Sequence, residues 1–386
     1  MNQTATSMFM NRPTVACVVG TRPEAVKLAP VIRRLCREGS GLACRVIGSG
    51  QHRGLLDRAL SDFGLAADRN LGLMRPGQSL ADLTAGALSA LAAVLDEERP
   101  DLVLAVGDTT TVFASALACH YARIPFGHVE AGLRTGEPYR PFPEEKNREL
   151  TARLAAIHFA PTAQARANLL REGIAAGAIQ LTGNTVIDAL RLVLEQSPRP
   201  VDRPPGERFV LATAHRRENW GEPMRQIAGA LRDLLDRDPT LGLLVPAHPN
   251  PAVRGPLAEA LADHPRARLV EPLGYPEFVA AMAAAAAIVT DSGGVQEEAP
   301  ALGKPVIVLR PETERPEAGA ILVGTDRGRI VAEVERALRE GTRPVPGISP
   351  FGDGLAAERI VRVVCRRLGV DPGPPSEEPP PWPPAD

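Results

Sequence analysis

Short apolar runs rich in β-branched residues alternate along this chain with segments of helical period, and this alternation limits the possible folds more than any other feature. In the first half the predicted strands are TVACVVG, CRVIGS, DLVLAVG and PFGHVE. In the second half they are RFVLATA, LGLLVPA, RARLVEP, AAIVTD and KPVIVL. Strands that alternate with helices form parallel sheets covered by helices on both faces. The sequence therefore predicts an α/β protein built from two similar parallel-sheet domains.

A charged, proline-rich segment interrupts this pattern once. EQSPRPVDRPPGE, residues 195–207, lacks apolar periodicity and is typical of an interdomain linker. The helical pattern DGLAAERIVRVVCRRLG ends the part expected to be ordered, because eight of the last sixteen residues are proline. A length of 386 residues accommodates two ordinary domains. The predicted organisation is a disordered N-terminus (1–13), a first domain (14–198), a second domain (199–350), a C-terminal helix (351–370) and a disordered tail (371–386).

Composition argues against several classes of protein. A net charge of -2 provides no clustered positive excess for a nucleic acid or an acidic membrane surface. No apolar run approaches the roughly 20 residues that span a bilayer, and MNQTATSMFMNRP lacks the layout of a signal peptide. The five cysteines are odd in number and show no CxxC spacing, so we expect reduced, structural thiols. These features predict a cytoplasmic protein without nucleic-acid or membrane partners.

The turn after the first predicted strand is a candidate anion site. VVGTRPE runs from an apolar strand into a Gly-Thr turn, with Pro23 at the expected first helical position and Lys27 one turn further. Free amide groups at a helix start attract anions, and Arg22 and Lys27 add positive charge. An ordinary helix cap explains the same pattern, so the motif alone leaves both interpretations open.

A similar design follows a strand of the second half, in DSGGVQEEAPALGKP. Ser292, Gly293 and Gly294 allow backbone amides to approach a diphosphate closely. Glu298 lies one turn into the expected helix, where a carboxylate can accept both hydroxyls of a ribose. A plain turn followed by a solvated acidic face is the alternative. The chain contains no GxGxxG fingerprint, so a bound NAD is not favoured.

Two histidines follow strands of the second half, in HRREN and PAHPNP. Neither His215 nor His248 has a second ligand at metal-binding spacing, so no metal site is predicted. Loop histidines also cap backbone groups, and that interpretation stays open. Anion contact is the preferred role, because Arg216 and Arg217 adjoin His215.

Carboxylates gather in and before HVEAGLRTGEPYRPFPEEKNREL, residues 128–150, which has no clean helical or strand period. Asp108 ends one predicted strand, Glu130 ends the next, and Glu144 and Glu145 follow. Neighbouring parallel strands would bring such groups to one edge of the sheet, where repulsion and partial burial raise at least one pKa. A cluster of this kind can take and return a proton. A lone aspartate at a strand end is more commonly a helix cap.

Ten motifs along the chain belong together. They are GTRPEAVKLAPVI, GQHRGLL, GDTTTVFASALA, HVEAGLRT, PFPEEKNR, TGNTVIDAL, HRREN, PAHPNP, TDSGGVQEEAPALGKPVIVLR and ETERPEA. They closely resemble the non-hydrolysing UDP-N-acetylglucosamine 2-epimerases over residues 14–370. The resemblance implies a GT-B fold, with two Rossmann-like domains around an active-site cleft and a C-terminal helix that packs back on the first domain. It also implies a homodimer that interconverts UDP-N-acetylglucosamine and UDP-N-acetylmannosamine without an added cofactor.

The resemblance also implies the chemistry. A base removes the proton at sugar position 2 while UDP leaves, giving 2-acetamidoglucal, and UDP re-adds as a proton arrives on the opposite face. The carboxylates that match the catalytic ones are Asp108, Glu130 and Glu144. Glu130 and Glu144 are assigned to proton transfer at the two faces, and Asp108 to a base or orienting role. The remaining matches are His215, Arg22 and Lys27 for the departing diphosphate, Ser292, Gly293, Gly294 and Glu298 for diphosphate and ribose, Phe278 for uracil, Arg315 for phosphate, and His248 for substrate.

Several other functions remain open at this point. Relatives act on further-modified UDP-aminosugars, in cell-wall or natural-product pathways. A hydrolysing epimerase would release UDP and free N-acetylmannosamine. A GT-B glycosyltransferase would share the fold and the nucleotide site, but it has no use for three carboxylates in the first domain. A non-catalytic sensor of nucleotide sugars is disfavoured because every catalytic position is filled.

One departure from the family concerns activation. Some bacterial members bind a second UDP-N-acetylglucosamine beside the active site as an activator. Gln51, Arg216 and His248 match that site, but Gly54 and Gly77 stand where activator-dependent members carry a glutamine and an arginine. The sequence therefore predicts weak or absent activation.

Overall fold

The structure is a computed structural model that describes residues 12–37, 39–50, 53–75, 77–196, 200–315, 317, 319–341, 349–373 and 379–383. Nearly all of the predicted disordered N-terminus lies outside these residues, as do Gln51 and part of the predicted tail. The chain divides into two compact units, one from residues 1–188 and 354–386 and the other from residues 189–353. This division falls earlier than the predicted boundary at residue 198.

The first unit contains a parallel sheet of seven strands. The elements in chain order are β1 (Thr14–Val19), α1 (Arg22–Leu35), β2 (Ala43–Gly48), α2 (Arg53–Ser61), β3 (Arg69–Asn70), α3 (Leu80–Glu98), β4 (Leu102–Val106), α4 (Thr110–Ala122), β5 (Phe126–Val129), α5 (Glu144–Leu154), β6 (Ile157–Ala160), α6 (Ala163–Arg171), β7 (Ile179–Leu181) and α7 (Thr185–Glu195). The strand order is β3-β2-β1-β4-β5-β6-β7. The division between the units falls inside α7.

The second unit contains a parallel sheet of six strands. Its elements are β8 (Arg208–Thr213), α8 (Glu222–Arg237), β9 (Leu241–Pro246), α9 (Pro251–Leu261), β10 (Ala267–Val270), α10 (Tyr275–Ala284), β11 (Ala287–Thr290), α11 (Gly293–Ala301), β12 (Val306–Val308), β13 (Ile321–Leu322) and α12 (Arg327–Glu340). The strand order is β10-β9-β8-β11-β12-β13. The predicted α/β architecture with two parallel sheets is confirmed.

Strand order determines where each unit can bind a ligand. The direction of strand addition reverses between β1 and β4 in the first sheet and between β8 and β11 in the second. Ligands of open parallel sheets bind beyond the carboxyl ends of the strands at such reversals. The central strands are fully buried on both faces, as continuous apolar runs such as LVLAV predict. Side chains that follow these strands are therefore the ones on which a site can be built.

The last helix, α13 (Ala356–Arg367), belongs to the first unit and packs on α1. The buried carboxylate of Asp188 in α7 accepts hydrogen bonds from the backbone N–H groups of Ala356 and Ala357, at 3.2 and 2.8 Å. A carboxylate at a helix start satisfies amides that have no partner within the helix.

Residues 379–383 lie within the tail predicted to be disordered, yet they lie against the first unit. Trp382 is 7% exposed, and its indole Nε1 donates a hydrogen bond to the carbonyl of Pro161 at 3.0 Å. Proline content indicates disorder only where no apolar anchor offsets the entropy of ordering. The single tryptophan of the tail provides that anchor here.

Two sequence expectations concern the chain as a whole. All five cysteines are free thiols. Within the described ranges, the structure contains no helix that is both long and apolar enough to cross a membrane.

Candidate active site

Adjacent strands bring two of the predicted catalytic carboxylates to one edge of the first sheet. β4 and β5 pair in parallel register, with Val106 opposite Val129. Asp108 follows β4 by two residues and Glu130 follows β5 directly. The carboxyl ends of both strands therefore place these side chains at the edge next to the strand-order reversal.

Glu130 is held in an unusual backbone conformation. Its φ is 64°, in the left-handed region that non-glycine residues rarely adopt, and the residue is 6% exposed. Its carboxylate accepts hydrogen bonds from the Lys27 ammonium and, at 2.8 Å, from the Asn184 amide. Backbone strain of this kind persists only where surrounding contacts over-determine it, and it concentrates at functional sites. Lys27, predicted from the resemblance to contact the diphosphate, lies paired with Glu130 in this structure.

Asp108 is held by side chains of α5. The Arg148 guanidinium donates to its carboxylate at 2.5 Å and to the Glu145 carboxylate at 3.1 Å. The Asn147 amide donates to the Asp108 backbone carbonyl at 2.9 Å. Arg148 and Glu145 are both buried, and a guanidinium shared by two carboxylates fixes the orientation of each. Arg148 and Asn147 were assigned no role from the sequence, and Glu145 was named there only as a member of the carboxylate cluster.

Glu144 is the first residue of α5 and is partly exposed. Its neighbour Glu145 is fully buried and accepts from the backbone N–H groups of Thr135 and Gly136, each at 3.0 Å. Glu145 therefore holds the preceding loop and the helix together. Of the two glutamates, Glu144 is the one that is partly exposed.

A further carboxylate lies at this edge, on α1. Glu24 is 4% exposed and accepts from the backbone N–H groups of Gly20 and Thr21, which completes a capping box with Thr21. Burial raises its pKa to about 7, and the neighbouring Asp108 charge adds to the increase. Arg22 occupies the first position of the same helix and is partly exposed. The T-x-x-E spacing of TRPE was the available sequence signal for Glu24.

The second unit places the Ser-Gly-Gly turn at the start of α11, directly after β11. Ser292 is the N-cap residue, and Gly293 and Gly294 begin the helix. A side chain at Gly293 would put its Cβ 2.8 Å from the Arg315 guanidinium, so a larger residue there would require Arg315 to shift. Amide groups at a helix start are a favourable place for an anion, as the sequence predicts for this turn.

Arg315 is buried beside this turn. It is 4% exposed and donates to the buried carboxylates of Glu297 and Glu314. Its positive charge therefore reaches the turn from the protein side, across Gly293.

The predicted ribose ligand has a partner that the sequence reasoning missed. The hydroxyl of Tyr275, on α10, donates to the Glu298 carboxylate at 2.7 Å, and both residues are buried. Phe278 lies one turn along the same helix and is partly buried. α10 thus carries both the residue that orients Glu298 and the predicted uracil contact.

His215 lies against a fully buried carboxylate that follows β11. Its Nδ1 is 3.1 Å from Asp291, and Asp291 also accepts from the backbone N–H groups of His215 and Arg216 at 2.9 Å. Burial alone would raise the pKa of Asp291, but the His215 side chain and these N–H groups lower it to about 2. The ring of His248 stacks on His215 at a centroid distance of 6.4 Å. Asp291 opens the quoted DSGG motif but was not recognised as a partner of His215.

The predicted remnant of an activator site is only partly described. Gln51 lies outside the described residues. Arg216 is partly buried, and burial together with the neighbouring Arg310 lowers its pKa. Gly54 is exposed in α2, and Gly77 has a φ of 72°, which disfavours any larger residue.

Comparison with known proteins gives one consistent result. A family model described as UDP-N-acetylglucosamine 2-epimerase matches residues 34–365. The chain is 45% identical over 377 residues to the putative UDP-N-acetylglucosamine 2-epimerase of Thermotoga maritima, which covers 94% of this chain and 99% of the relative. It is also 45% identical over 368 residues to the UDP-N-acetylglucosamine 2-epimerase of Escherichia coli K12, with coverage of 91% and 98%.

Solved structures agree with the sequence relatives. The Neisseria meningitidis UDP-GlcNAc 2-epimerase bound to UDP-GlcNAc is 41% identical with a TM-score of 0.84, covering 92% of this chain and all of that one. The S. aureus MnaA-UDP co-structure is 39% identical with a TM-score of 0.85, covering 95% of this chain and all of that one.

Proposed function

The chain belongs to the UDP-N-acetylglucosamine 2-epimerase family, and from this membership we propose that it interconverts UDP-N-acetylglucosamine and UDP-N-acetylmannosamine without hydrolysing either. Its two Rossmann-like units are those of the GT-B fold. The observation that carries the proposal is Glu130, a buried carboxylate held by Lys27 and Asn184 at the sheet edge that also bears Asp108. We place the reaction in the cytoplasm.

We propose elimination and re-addition as the mechanism. Carbon 2 of the sugar has no adjacent carbonyl, so simple deprotonation there is too difficult. If the C2–H and C1–O bonds break together, the proton goes to a carboxylate, the electron pair forms the C1–C2 double bond, and UDP leaves as the anion. The intermediate is 2-acetamidoglucal. Re-addition of UDP with proton delivery to the opposite face gives the other epimer.

Protein groups in the first unit supply the two proton transfers. We assign them to Glu130 and Glu144, one for each face of the sugar ring. Asp108, whose carboxylate is fixed by Arg148, acts as a base or orients one of them. Lys27 and Arg22 provide positive charge where the departing diphosphate becomes more negative, and charge that develops in the transition state is where fixed cations contribute most.

The second unit binds UDP in this proposal. Amides of the turn at Gly293 and Gly294 receive the diphosphate, with the charge of Arg315 behind them. Glu298, oriented by Tyr275, accepts the ribose hydroxyls. Phe278 contacts uracil, and His248 contacts the substrate. Asp291 contacts Nδ1 of His215, which leaves the other ring nitrogen of His215 to contact the diphosphate.

Product analysis by proton NMR tests the proposal. Incubation with UDP-N-acetylglucosamine should yield signals of UDP-N-acetylmannosamine and no free aminosugar. Free N-acetylmannosamine with UDP would indicate a hydrolysing epimerase. If UDP-N-acetylglucosamine stays unchanged, the natural substrate would be a further-modified UDP-aminosugar. Release of UDP on adding an acceptor sugar would instead indicate a glycosyltransferase.

We propose a homodimer as the working form. Four large apolar side chains of the first unit are exposed near α4 and α5, which is typical of an interface. They are Tyr121, Tyr139, Phe142 and Leu150. Light scattering should give twice the 41.0 kDa of one chain, and Phe142→Ser should shift the mass toward that of one chain. A single-chain mass for the unchanged protein at micromolar concentration would contradict the dimer.

A further inference from the structure

Residues 379–383, the sequence PPPWP, form a docked segment that we call the C-terminal brace. Its anchor is Trp382, which is 7% exposed and donates from Nε1 to the carbonyl of Pro161 at 3.0 Å. The remaining side chains of the brace are exposed or partly exposed. The brace is therefore attached through one buried aromatic ring and through its backbone.

Arg359 of α13 is the second attachment. It is 8% exposed, and its Nε and Nη2 donate to the carbonyl of Pro380 at 3.0 and 2.7 Å. Its Nη1 donates to the carbonyl of Thr182 at 3.0 Å, and its guanidinium lies 5.9 Å from the centroid of the Trp382 ring. One planar cation thus joins the brace to the loop after β7.

The attachment points lie on the same sheet edge as Glu130, one of the two proposed proton-transfer groups. Glu130, Pro161 and Thr182 are the residues that directly follow β5, β6 and β7, which are neighbours in the sheet. Thr182 is two residues before Asn184, whose amide donates to Glu130 at 2.8 Å. The carbonyl oxygen of the Asn184 side chain accepts from the N–H of Val186 at 3.1 Å, which orients the amide.

We propose that the C-terminal brace positions Asn184 against Glu130 by holding Arg359 on the Thr182 carbonyl. The inference rests on the proposed epimerase function, in which Glu130 transfers a proton. Without the brace, Nε and Nη2 of Arg359 lose their acceptor, the Pro380 carbonyl. Buried donors of a charged group re-orient to recover a protein partner or water, so the Arg359 guanidinium would move. The loop from Thr182 to Asn184 then loses its fixed position. Trp382 and Arg359 are positioning residues that do not touch the sugar.

Docking is tested first, by a measurement that does not depend on activity. The chain has two tryptophans, so Trp220→Phe leaves Trp382 as the only one. Its fluorescence should be protected from acrylamide in the folded protein and quenched freely in a synthetic PPPWPPAD peptide. Equal quenching in both would show that the brace is not docked and would overturn the proposal.

Steady-state kinetics tests the role in positioning. Trp382→Ala, and truncation after Gly373, should lower kcat about three- to ten-fold, the kinetic equivalent of one hydrogen bond. KM for UDP-N-acetylglucosamine should change less than about two-fold because the second unit binds UDP. Pro381→Ala is the matched control, since that side chain of the brace is exposed, and it should leave both constants unchanged. Adding the PPPWPPAD peptide to the truncated enzyme should restore kcat.

A double-mutant cycle identifies the route of the effect. Combined with Asn184→Ala, Trp382→Ala should lower kcat no further, because both changes remove the same contact to Glu130. Additive losses in a folded background would overturn the proposal. If the wild-type enzyme is active and Trp382→Ala has the same kcat, this proposal is also overturned. The proposed epimerase function would remain intact in that case.

Discussion

At the scale of single residues, Glu130 combines three features that suit the proton transfer proposed for it. Its φ of 64° turns the chain sharply after β5, its carboxylate is buried, and Lys27 and Asn184 both donate to the same oxygen of that carboxylate. A strained non-glycine residue of this kind costs about 1–3 kcal/mol, which the surrounding contacts must offset. These contacts fix the orientation of the carboxylate at the cost of local backbone strain.

Replacing this carboxylate by its amide should remove turnover. Glu130→Gln keeps the size of the side chain but cannot accept the proton, so kcat should fall about a hundred- to ten-thousand-fold. Asp108→Asn and Glu144→Gln should behave alike. Glu137→Gln is the control, an exposed carboxylate of the same charged segment that should keep full activity. Near-normal kcat in Glu130→Gln, in a pure preparation, would remove Glu130 from the mechanism.

Glu24 should make folding stability depend on pH. Its pKa is about 7 in the folded protein against 4.5 for an ordinary glutamate, so the protonated form is the one that folding favours. The free energy of unfolding is highest with respect to this group below about pH 4.5, where Glu24 is protonated in both states. It falls by about 3 kcal/mol as the pH rises to about 7. Glu24→Gln stays neutral and avoids this loss. Urea unfolding should show its advantage over the unchanged protein growing across this interval, and a constant difference would contradict the assignment.

At the scale of elements, nine of the strands could be predicted because each lies in an apolar run. Four short strands, β3, β6, β7 and β13, were not predicted, since they contain only two to four residues each. α5 could not be predicted either, because most of its buried side chains are polar. They are Glu145, Asn147, Arg148, Thr151 and Ala152. Its packing depends on the ion pairs of Arg148, which have no periodic signature in the sequence. One of these ion pairs joins Arg148 to Asp108, forty residues earlier, so the packing of this helix could not be predicted from its local sequence.

In the candidate site, too, some residues could be predicted from the sequence and others could not. Residues directly after strands were predictable, because parallel sheets bring their carboxyl ends together. Their partners were not, since Asn184, Asp291 and Tyr275 are paired with residues far along the chain. The C-terminal brace is the extreme case, because its ordering depends on Arg359 and Pro161, and proline composition alone predicts disorder.

α10 offers a test of the second unit. Tyr275→Phe removes the hydroxyl that orients Glu298 and leaves the ring that packs in the core. A hydrogen bond to a charged group contributes roughly 1.5–3 kcal/mol, so the Kd for UDP should rise about ten-fold or more. Calorimetric titration measures it, with the exposed Tyr121→Phe as control. Unchanged UDP affinity would mean that Glu298 is not the ribose ligand.

At the scale of the whole molecule, activation by a second substrate molecule should be weak. Gly54 and Gly77 lack the two hydrogen-bonding side chains of activator-dependent relatives, and the φ of 72° at Gly77 disfavours a larger residue there. Losing one charged and one neutral hydrogen bond weakens such a ligand by roughly one to three decades. The enzyme should convert UDP-N-acetylmannosamine alone, with a hyperbolic rate curve and no lag. A reaction that stays silent until a trace of UDP-N-acetylglucosamine is added would contradict this.

Turnover in heavy water tests the central claim, that carboxylates of the first unit exchange the proton at sugar position 2 during elimination and re-addition. Proton NMR of a reaction run to equilibrium should show deuterium at that position in both UDP-N-acetylglucosamine and UDP-N-acetylmannosamine. Added NAD should change nothing, and Glu130→Gln should incorporate no deuterium on the same timescale. Formation of the second epimer with its original hydrogen retained would mean an internal hydrogen transfer, and the elimination account would be wrong.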